Sequence, residues 1–117
     1  MMRVVSDGDD GWPSRASVEA AWRAVIAGAR TRESVHDWSV PWVEGDAGNV
    51  RPRDPMVLTG LQSLHGLDMT ALPATPNLVS HGGSGNYVLS EQEVVASLER
   101  WLGRCRKYDA AHQPGAG

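Results

Sequence analysis

The chain has 117 residues, enough for one domain and too few for two, and its composition of 41% hydrophobic and 21% charged residues excludes wholesale disorder. Its formal net charge of −3 disfavours a dedicated nucleic-acid binder, because such proteins gain affinity from Lys and Arg contacts to phosphates. Cys105 is the one cysteine, which excludes an internal disulfide bond and a multi-cysteine zinc site.

Two amphipathic helices are predicted in the first half of the chain. The first begins after Ser14 or Ser17 and ends at Gly28, and its apolar residues recur at i, i+3, i+4, i+7 and i+8. The second is capped by Thr31. Pro41 interrupts it, so the helix either kinks or ends near Ser39; we favour a kinked or two-piece helix because the apolar stripe stays in phase beyond the proline.

The third predicted helix begins with Asp54 as N-cap and Pro55 at its first position, and it ends at Gly66. The span 55–67 contains no Asp, Glu, Lys or Arg. A helix without a charged face is covered on several sides, so we place this helix at the centre of the domain.

An irregular loop of about twenty residues, 68–88, precedes the last helix, with a short strand at 87–89 as one option. The last helix begins at a capping box, Ser90 with Glu93. Its C-terminal part carries a basic cluster, which we interpret as a solvated helix end in preference to a phosphate-binding site. The cluster comprises Arg100, Arg104, Arg106 and Lys107.

These elements predict an all-α, compact single domain of about four helices with a long irregular loop before the last helix. We expect a flexible N-terminal arm at 1–13, one helical domain at 14–107 and a flexible C-terminal tail at 108–117. Phe is absent, so the five tryptophans supply most of the aromatic volume of the core.

We expect a cytoplasmic protein that does not contact a membrane. Residues 6–10 are acidic where a secretory signal needs basic and then apolar residues. The uncharged window 69–90 is long enough to span a bilayer, but its prolines and glycines would leave backbone groups unsatisfied in lipid.

Three groups of residues have the types needed for a chemical site, and for each we favour a purely structural role: a set of histidines and aspartates, a glycine-rich string and Cys105. His65 with Asp68, together with His36 and Asp37, contains metal-ligand types, but nothing in the sequence brings the two helices together. The glycine-rich string at 81–86, which begins at His81, could cradle an anion, or it is a turn.

Cys105 lies on the apolar stripe of the last helix, and no histidine is identified as its partner, so we interpret it as a buried hydrophobic residue. The sequence therefore predicts no catalytic residue, no metal site and no cofactor.

An acidic region surrounds the second helix and the loop after it. If these carboxylates share a face, they form a patch suited to a basic protein partner. The predicted contact residues are Glu33, Asp37, Glu44 and Asp46.

Three strings carry a resemblance to a known group of proteins: TRESVHDWSVPWV at 31–43, DPMVLTGLQSLHGLD at 54–68 and YVLS at 87–90. In their order they resemble uncharacterised small acidic helical proteins of actinobacteria, some of which are similar to immunity proteins of polymorphic toxin systems. The resemblance covers roughly residues 31–102 and implies a shared helical architecture and no catalytic residue. This chain departs from the pattern in its long uncharged loop at 69–86.

Our leading hypothesis is a non-catalytic interaction domain of the immunity type, which binds and neutralises a cognate toxin, with a basic toxin domain as partner and no nucleic acid. The first alternative is a small enzyme or ligand-binding domain that uses the 69–86 loop with His65 and His81. The second alternative is a DNA-binding regulator, ranked last because the third helix carries no charge. The oligomeric state is left open.

Overall fold

The computed structural model describes residues 7–8, 10–45, 50–72, 78–83 and 85–112. Within these ranges the chain is mostly helical, which confirms the predicted helical domain, but it also contains a small antiparallel sheet, so the all-α description is corrected. The elements in chain order are α1 (Arg15–Ile26), α2 (Arg32–Val43), α3 (Pro55–His65), β1 (Met69–Ala71), β2 (Val79–His81) and α4 (Glu91–Ala111).

Each helix begins at a side-chain cap. Ser14, Thr31, Asp54 and Ser90 have extended backbones, and each side chain accepts a hydrogen bond from a backbone N–H in the first turn of its helix. A cap of this kind is worth about 1 kcal/mol. The capping box predicted at Ser90 and Glu93 is present in both directions.

Helix α2 continues through Pro41 to Val43. The helix therefore continues beyond the proline, as the in-phase apolar stripe predicts, but as one element, so an end near Ser39 and a two-piece helix are both wrong. Pro41 lies in the last turn, where its missing N–H costs one hydrogen bond, while the next residue anchors the turn. Trp42 is 3% exposed, and its indole nitrogen donates to the carbonyl oxygen of Gly11 at 3.0 Å.

Helix α3 lies at the centre of the domain, as predicted, and contacts each of the other three helices. Gly60 permits the closest approach, because a Cβ atom there would lie 2.7 Å from Cγ1 of Val18 and 2.9 Å from the Trp101 ring. The rings of Trp22 and Trp101 pack with their centroids 5.6 Å apart. Four of the tryptophans, Trp12, Trp22, Trp42 and Trp101, are buried in this core.

Strands β1 and β2 lie in the segment predicted to be irregular. They pair with Met69 opposite His81 and Ala71 opposite Val79. The strand considered at 87–89 is instead an isolated bridge from Tyr87 to Thr70. Strands of three residues are too short to show the alternation of apolar and polar residues that predicts a strand.

The two ends of the domain extend further than predicted. Trp12, placed in the expected arm, is 2% exposed and donates from its indole nitrogen to the carbonyl oxygen of Val50 at 2.7 Å. Helix α4 runs to Ala111, beyond the expected boundary at 107. Among the described residues, none of the helices combines the length and the apolar character needed to cross a membrane.

Candidate functional site

Three of the four histidines meet at one place, which we call the histidine cluster: His36, His65 and His81. His36 lies on α2, His65 is the last residue of α3, and His81 is the last residue of β2. Their ring centroids are 4.3, 4.4 and 4.9 Å apart, and their candidate ligand nitrogens all lie within 4.8 Å of one another. The fold therefore brings together imidazoles from three separate elements.

Hydrogen bonds to a backbone carbonyl and to a carboxylate orient two of these rings. Nδ1 of His36 lies 2.8 Å from the backbone carbonyl oxygen of His65. Nδ1 of His81 lies 2.5 Å from Oδ1 of Asp68, and the same carboxylate oxygen is 3.4 Å from Nδ1 of His36. Asp68 is 3% exposed, so a buried carboxylate supports both imidazoles.

The third ring has a carboxylate partner as well. Nε2 of His65 is hydrogen-bonded to the side chain of Glu44, which follows the last turn of α2. This hydrogen bond lowers the pKa of Glu44 below its ordinary value. Glu44 is exposed, so the outer edge of the cluster faces solvent.

The glycine-rich string after β2 forms the turn that places His81. Gly82 has a φ of +64°, a conformation that favours glycine, and its N–H donates to the backbone carbonyl of Asp68 at 3.0 Å. A Cβ at Gly83 would lie 2.6 Å from Oγ1 of Thr70. The described part of the string therefore holds the hairpin against Asp68; Ser84 lies outside the described residues.

The four predicted contact residues do not share one environment. Glu33 accepts a hydrogen bond from the Tyr87 hydroxyl at 2.8 Å, and Glu44 bonds His65. Asp37 is exposed on α2, and Asp46 lies outside the described residues. Two of these acids therefore have partners within the fold.

The basic cluster of α4 forms an exposed surface. Arg100, Arg104, Arg106 and Lys107 are all exposed, and none of them forms an ion pair with any residue that the structure describes. Positions 100, 104 and 107 follow the i, i+4, i+7 spacing, which places them on one face of the helix. We call Arg100, Arg104 and Lys107 the α4 basic face.

Other arginines are used inside the fold. Arg15 forms ion pairs with Asp54 and Asp109, and these bonds raise the pKa of Arg15 further above its ordinary value. Arg23 pairs with Glu19 on α1 at 2.7 Å. The α4 basic face differs from Arg15 and Arg23 because its side chains are exposed and have no ion-pair partner among the described residues, so they can bind a partner.

Cys105 is buried at 6% exposure, and burial raises the pKa of its thiol. A thiol that resists ionisation is a poor nucleophile, which agrees with its interpretation as a core residue.

The sequence pointed to the parts of the histidine cluster without joining them. The possible metal ligands in the sequence were His65 with Asp68 and His36 with Asp37, and His81 belonged to a separate ligand-binding loop. Nothing in the local sequence predicts that β2 packs beside Asp68. The sequence analysis therefore missed that Asp68 contacts the imidazoles of both His36 and His81.

The chain is similar to a known protein family. The sequence model of a family described as YxzC DNA-binding protein matches residues 4–101, most of the chain. No curated protein and no solved structure matches. The family match contradicts three predictions made from the sequence: an immunity-type interaction domain, a toxin as partner and the exclusion of nucleic acid.

Proposed function

This chain belongs to the YxzC DNA-binding protein family, and on that premise we propose that it binds duplex DNA through the α4 basic face. The observation that carries the location is the set of exposed cations at 100, 104 and 107 without an ion-pair partner among the described residues. Such side chains release counterions from DNA when they contact phosphates, and this supplies most of the free energy of non-specific binding.

The other helices are poorer candidates. Helix α3 has no Asp, Glu, Lys or Arg and lies at the centre of the domain. Helix α2 presents Asp37 to solvent and ends beside Glu44, and both carboxylates would repel phosphate. On α1, Arg15 and Arg23 are neutralised by acidic partners. Electrostatics therefore favours α4.

The net charge of −3 does not oppose this location. Association depends on the local potential at the contact surface, and residues 100–107 contain four cations and no acid. The sequence-based exclusion of DNA was wrong because it averaged this segment with the acids around α2.

The size of the face determines the kind of binding. From position 100 to position 107 the helix rises about 10 Å, so the face contacts only a few phosphates. Three phosphate contacts correspond to a slope of about −2.7 in a plot of log K against log salt concentration. We therefore propose weak, salt-sensitive binding that is positioned by the backbone of the duplex.

The experiment is a fluorescence-anisotropy titration of a labelled duplex at several salt concentrations. We expect the wild type to bind at low salt with the slope given above, and Arg104→Gln to reduce the magnitude of the slope by about 0.9. The triple variant Arg100→Gln, Arg104→Gln, Lys107→Gln should bind too weakly to measure, with its helical circular dichroism retained.

Arg23→Gln is the matched control, because it changes the net charge by the same amount as Arg104→Gln but lies on α1. Its slope should equal that of the wild type. Equal losses in Arg23→Gln and Arg104→Gln would show that only total charge matters, and they would contradict the proposed face. Failure of the wild type to bind any duplex at low salt would contradict the function itself.

A further inference from the structure

The histidine cluster shares no residue with the α4 basic face and is not explained by DNA binding. We propose that His36, His65 and His81 bind a divalent transition-metal ion of the zinc class. Their candidate ligand atoms lie within 4.8 Å of one another. Zinc holds nitrogen ligands at about 2.0–2.1 Å, which places tetrahedral nitrogens about 3.4 Å apart. Metal binding would draw the three nitrogens together to that spacing.

The hydrogen bonds around the cluster determine which nitrogens are available. A carbonyl oxygen only accepts hydrogen bonds, so His36 carries its hydrogen on Nδ1 and presents a lone pair on Nε2. His81 bonds the carboxylate of Asp68 through Nδ1, which likewise leaves Nε2 as its metal ligand.

This pattern is typical of metal sites. Histidine ligands usually donate the ring N–H that does not face the metal to a carboxylate or a backbone carbonyl, which fixes the ring and increases its basicity. His36 has the carbonyl partner and His81 has the carboxylate partner. Asp68 makes these contacts while 3% exposed, so its position is fixed by the fold.

Glu44 adds a carboxylate to the possible metal ligands, at the side of the cluster that faces solvent. Its carboxylate is hydrogen-bonded to Nε2 of His65. It therefore either orients His65 or supplies an oxygen as fourth ligand, and both roles leave the three imidazoles as the primary ligands.

A hydrogen-bonded histidine network without metal would join the rings to one another. Among the described residues, however, the rings of His36, His65 and His81 hydrogen-bond to a backbone carbonyl or to carboxylates and not to one another. The His81 side chain is 40% exposed, which gives an ion a path from solvent.

A set of imidazoles selects zinc, nickel, cobalt or copper over magnesium and calcium. This proposal replaces the sequence-based prediction that the chain binds no metal.

The test uses the full-length, tag-free protein after treatment with a chelator, titrated with Co²⁺ alone and then with Zn²⁺ alone. We expect one equivalent of Co²⁺ to bind with the visible absorption of a site that contains nitrogen ligands, and Zn²⁺ to displace it. Zn²⁺ should also raise the melting temperature, because it binds the folded state. A wild type that shows neither absorption nor a shift in melting temperature would overturn the proposal.

Two variants and a control locate the ion. His81→Gln removes a ligand at a partly exposed position and should weaken Zn²⁺ binding at least 100-fold. Asp68→Asn should weaken it about 10–100-fold, the usual effect of losing an outer hydrogen-bond partner. His112→Gln changes the fourth histidine, which is exposed and directly follows the last residue of α4, and should leave the affinity unchanged.

Equal affinities for His81→Gln and the wild type would overturn the proposal, as would a loss of affinity confined to His112→Gln. Because His81 is the last residue of β2 and its side chain is partly exposed, the His81→Gln variant should keep the circular dichroism of the wild type. DNA binding in the titration described above is expected to be the same for His81→Gln and the wild type, so failure of one proposal does not imply failure of the other.

Discussion

Nδ1 of His36 donates to the backbone carbonyl oxygen of His65 across 2.8 Å, and this bond joins α2 to the C-terminal end of α3. The last carbonyls of a helix have no partner within the helix, so the imidazole satisfies a group that would otherwise need water or a cap. The same contact brings the two rings to a centroid separation of 4.3 Å. Packing of α2 on α3 therefore creates the first half of the histidine cluster.

The glycine at the centre of α3 should not tolerate a methyl group. We expect Gly60→Ala to destabilise the protein by about 1–3 kcal/mol, because the new Cβ would collide with Val18 and the Trp101 ring at 2.7 and 2.9 Å. Urea denaturation followed by tryptophan fluorescence measures the change.

Gly103→Ala is the matched control, because Gly103 is also inside a helix but its nearest neighbour is a flexible atom of Arg106 at 3.7 Å. We expect it to raise stability by about 0.5–1 kcal/mol through helix propensity. If both variants change stability in the same direction, the close packing of α1, α3 and α4 at Gly60 is not as described.

Arg32 should contribute to stability although it is charged. It is 8% exposed, donates to the backbone carbonyl of Leu89 at 2.7 Å and lies over the Tyr87 ring at 4.1 Å. Arg32→Ala leaves that carbonyl without its donor, so we expect a loss of about 1–3 kcal/mol in the free energy of unfolding.

The neighbouring Arg30→Ala is the comparison, since Arg30 is only partly buried and its bonds to Ser34 are 3.3 Å long. Its effect should stay within about 0.5 kcal/mol. Thermal unfolding of both variants measures the difference, and an Arg30→Ala variant as unstable as Arg32→Ala would argue against a special role for the buried guanidinium.

Tyr87 should titrate above its ordinary pKa of 10.0, because its hydroxyl donates a hydrogen bond to Glu33 and because burial disfavours the phenolate. A pKa raised in the folded state means that this contribution to stability is present below about pH 10 and is lost as the pH rises through the folded value. Absorbance titration of a Tyr108→Phe variant reports Tyr87 alone, since the chain has two tyrosines.

Glu33→Gln in that background removes the carboxylate and should lower the midpoint of the titration. Unfolding the protein in urea should also lower the titration midpoint of Tyr87, because it removes both the contact with Glu33 and the burial of the hydroxyl. An unchanged midpoint in Glu33→Gln would show that the contact between Tyr87 and Glu33 does not form in solution.

Local features of the fold were predictable because they depend on residues close in sequence. Caps such as Ser90 with Glu93 place the acceptor and donor three positions apart, and the uncharged α3 signals burial without any tertiary information. The in-phase stripe favoured a helix that continues beyond Pro41, but the sequence could not show that it stays in one piece, because this depends on the anchoring of Trp42 by Gly11, 31 residues away.

The candidate sites were harder to predict for the same reason. His36 and His65 are 29 residues apart and His81 and Asp68 are 13 apart, so only the packed chain brings them together. The basic residues of α4 were recognisable in the sequence, but the negative net charge of the whole chain led the sequence analysis to disfavour DNA binding. Exposure and the lack of acidic partners among the described residues, which only a structure reveals, distinguish Arg104 from the paired Arg15.

Amide NMR signals recorded during titration with a short duplex show whether the α4 basic face contacts DNA. We predict that the largest shifts fall on residues 100–107 and disappear as salt is raised, with small shifts on α2. Shifts centred on α2 or on the histidine cluster, with residues 100–107 unperturbed, would contradict it.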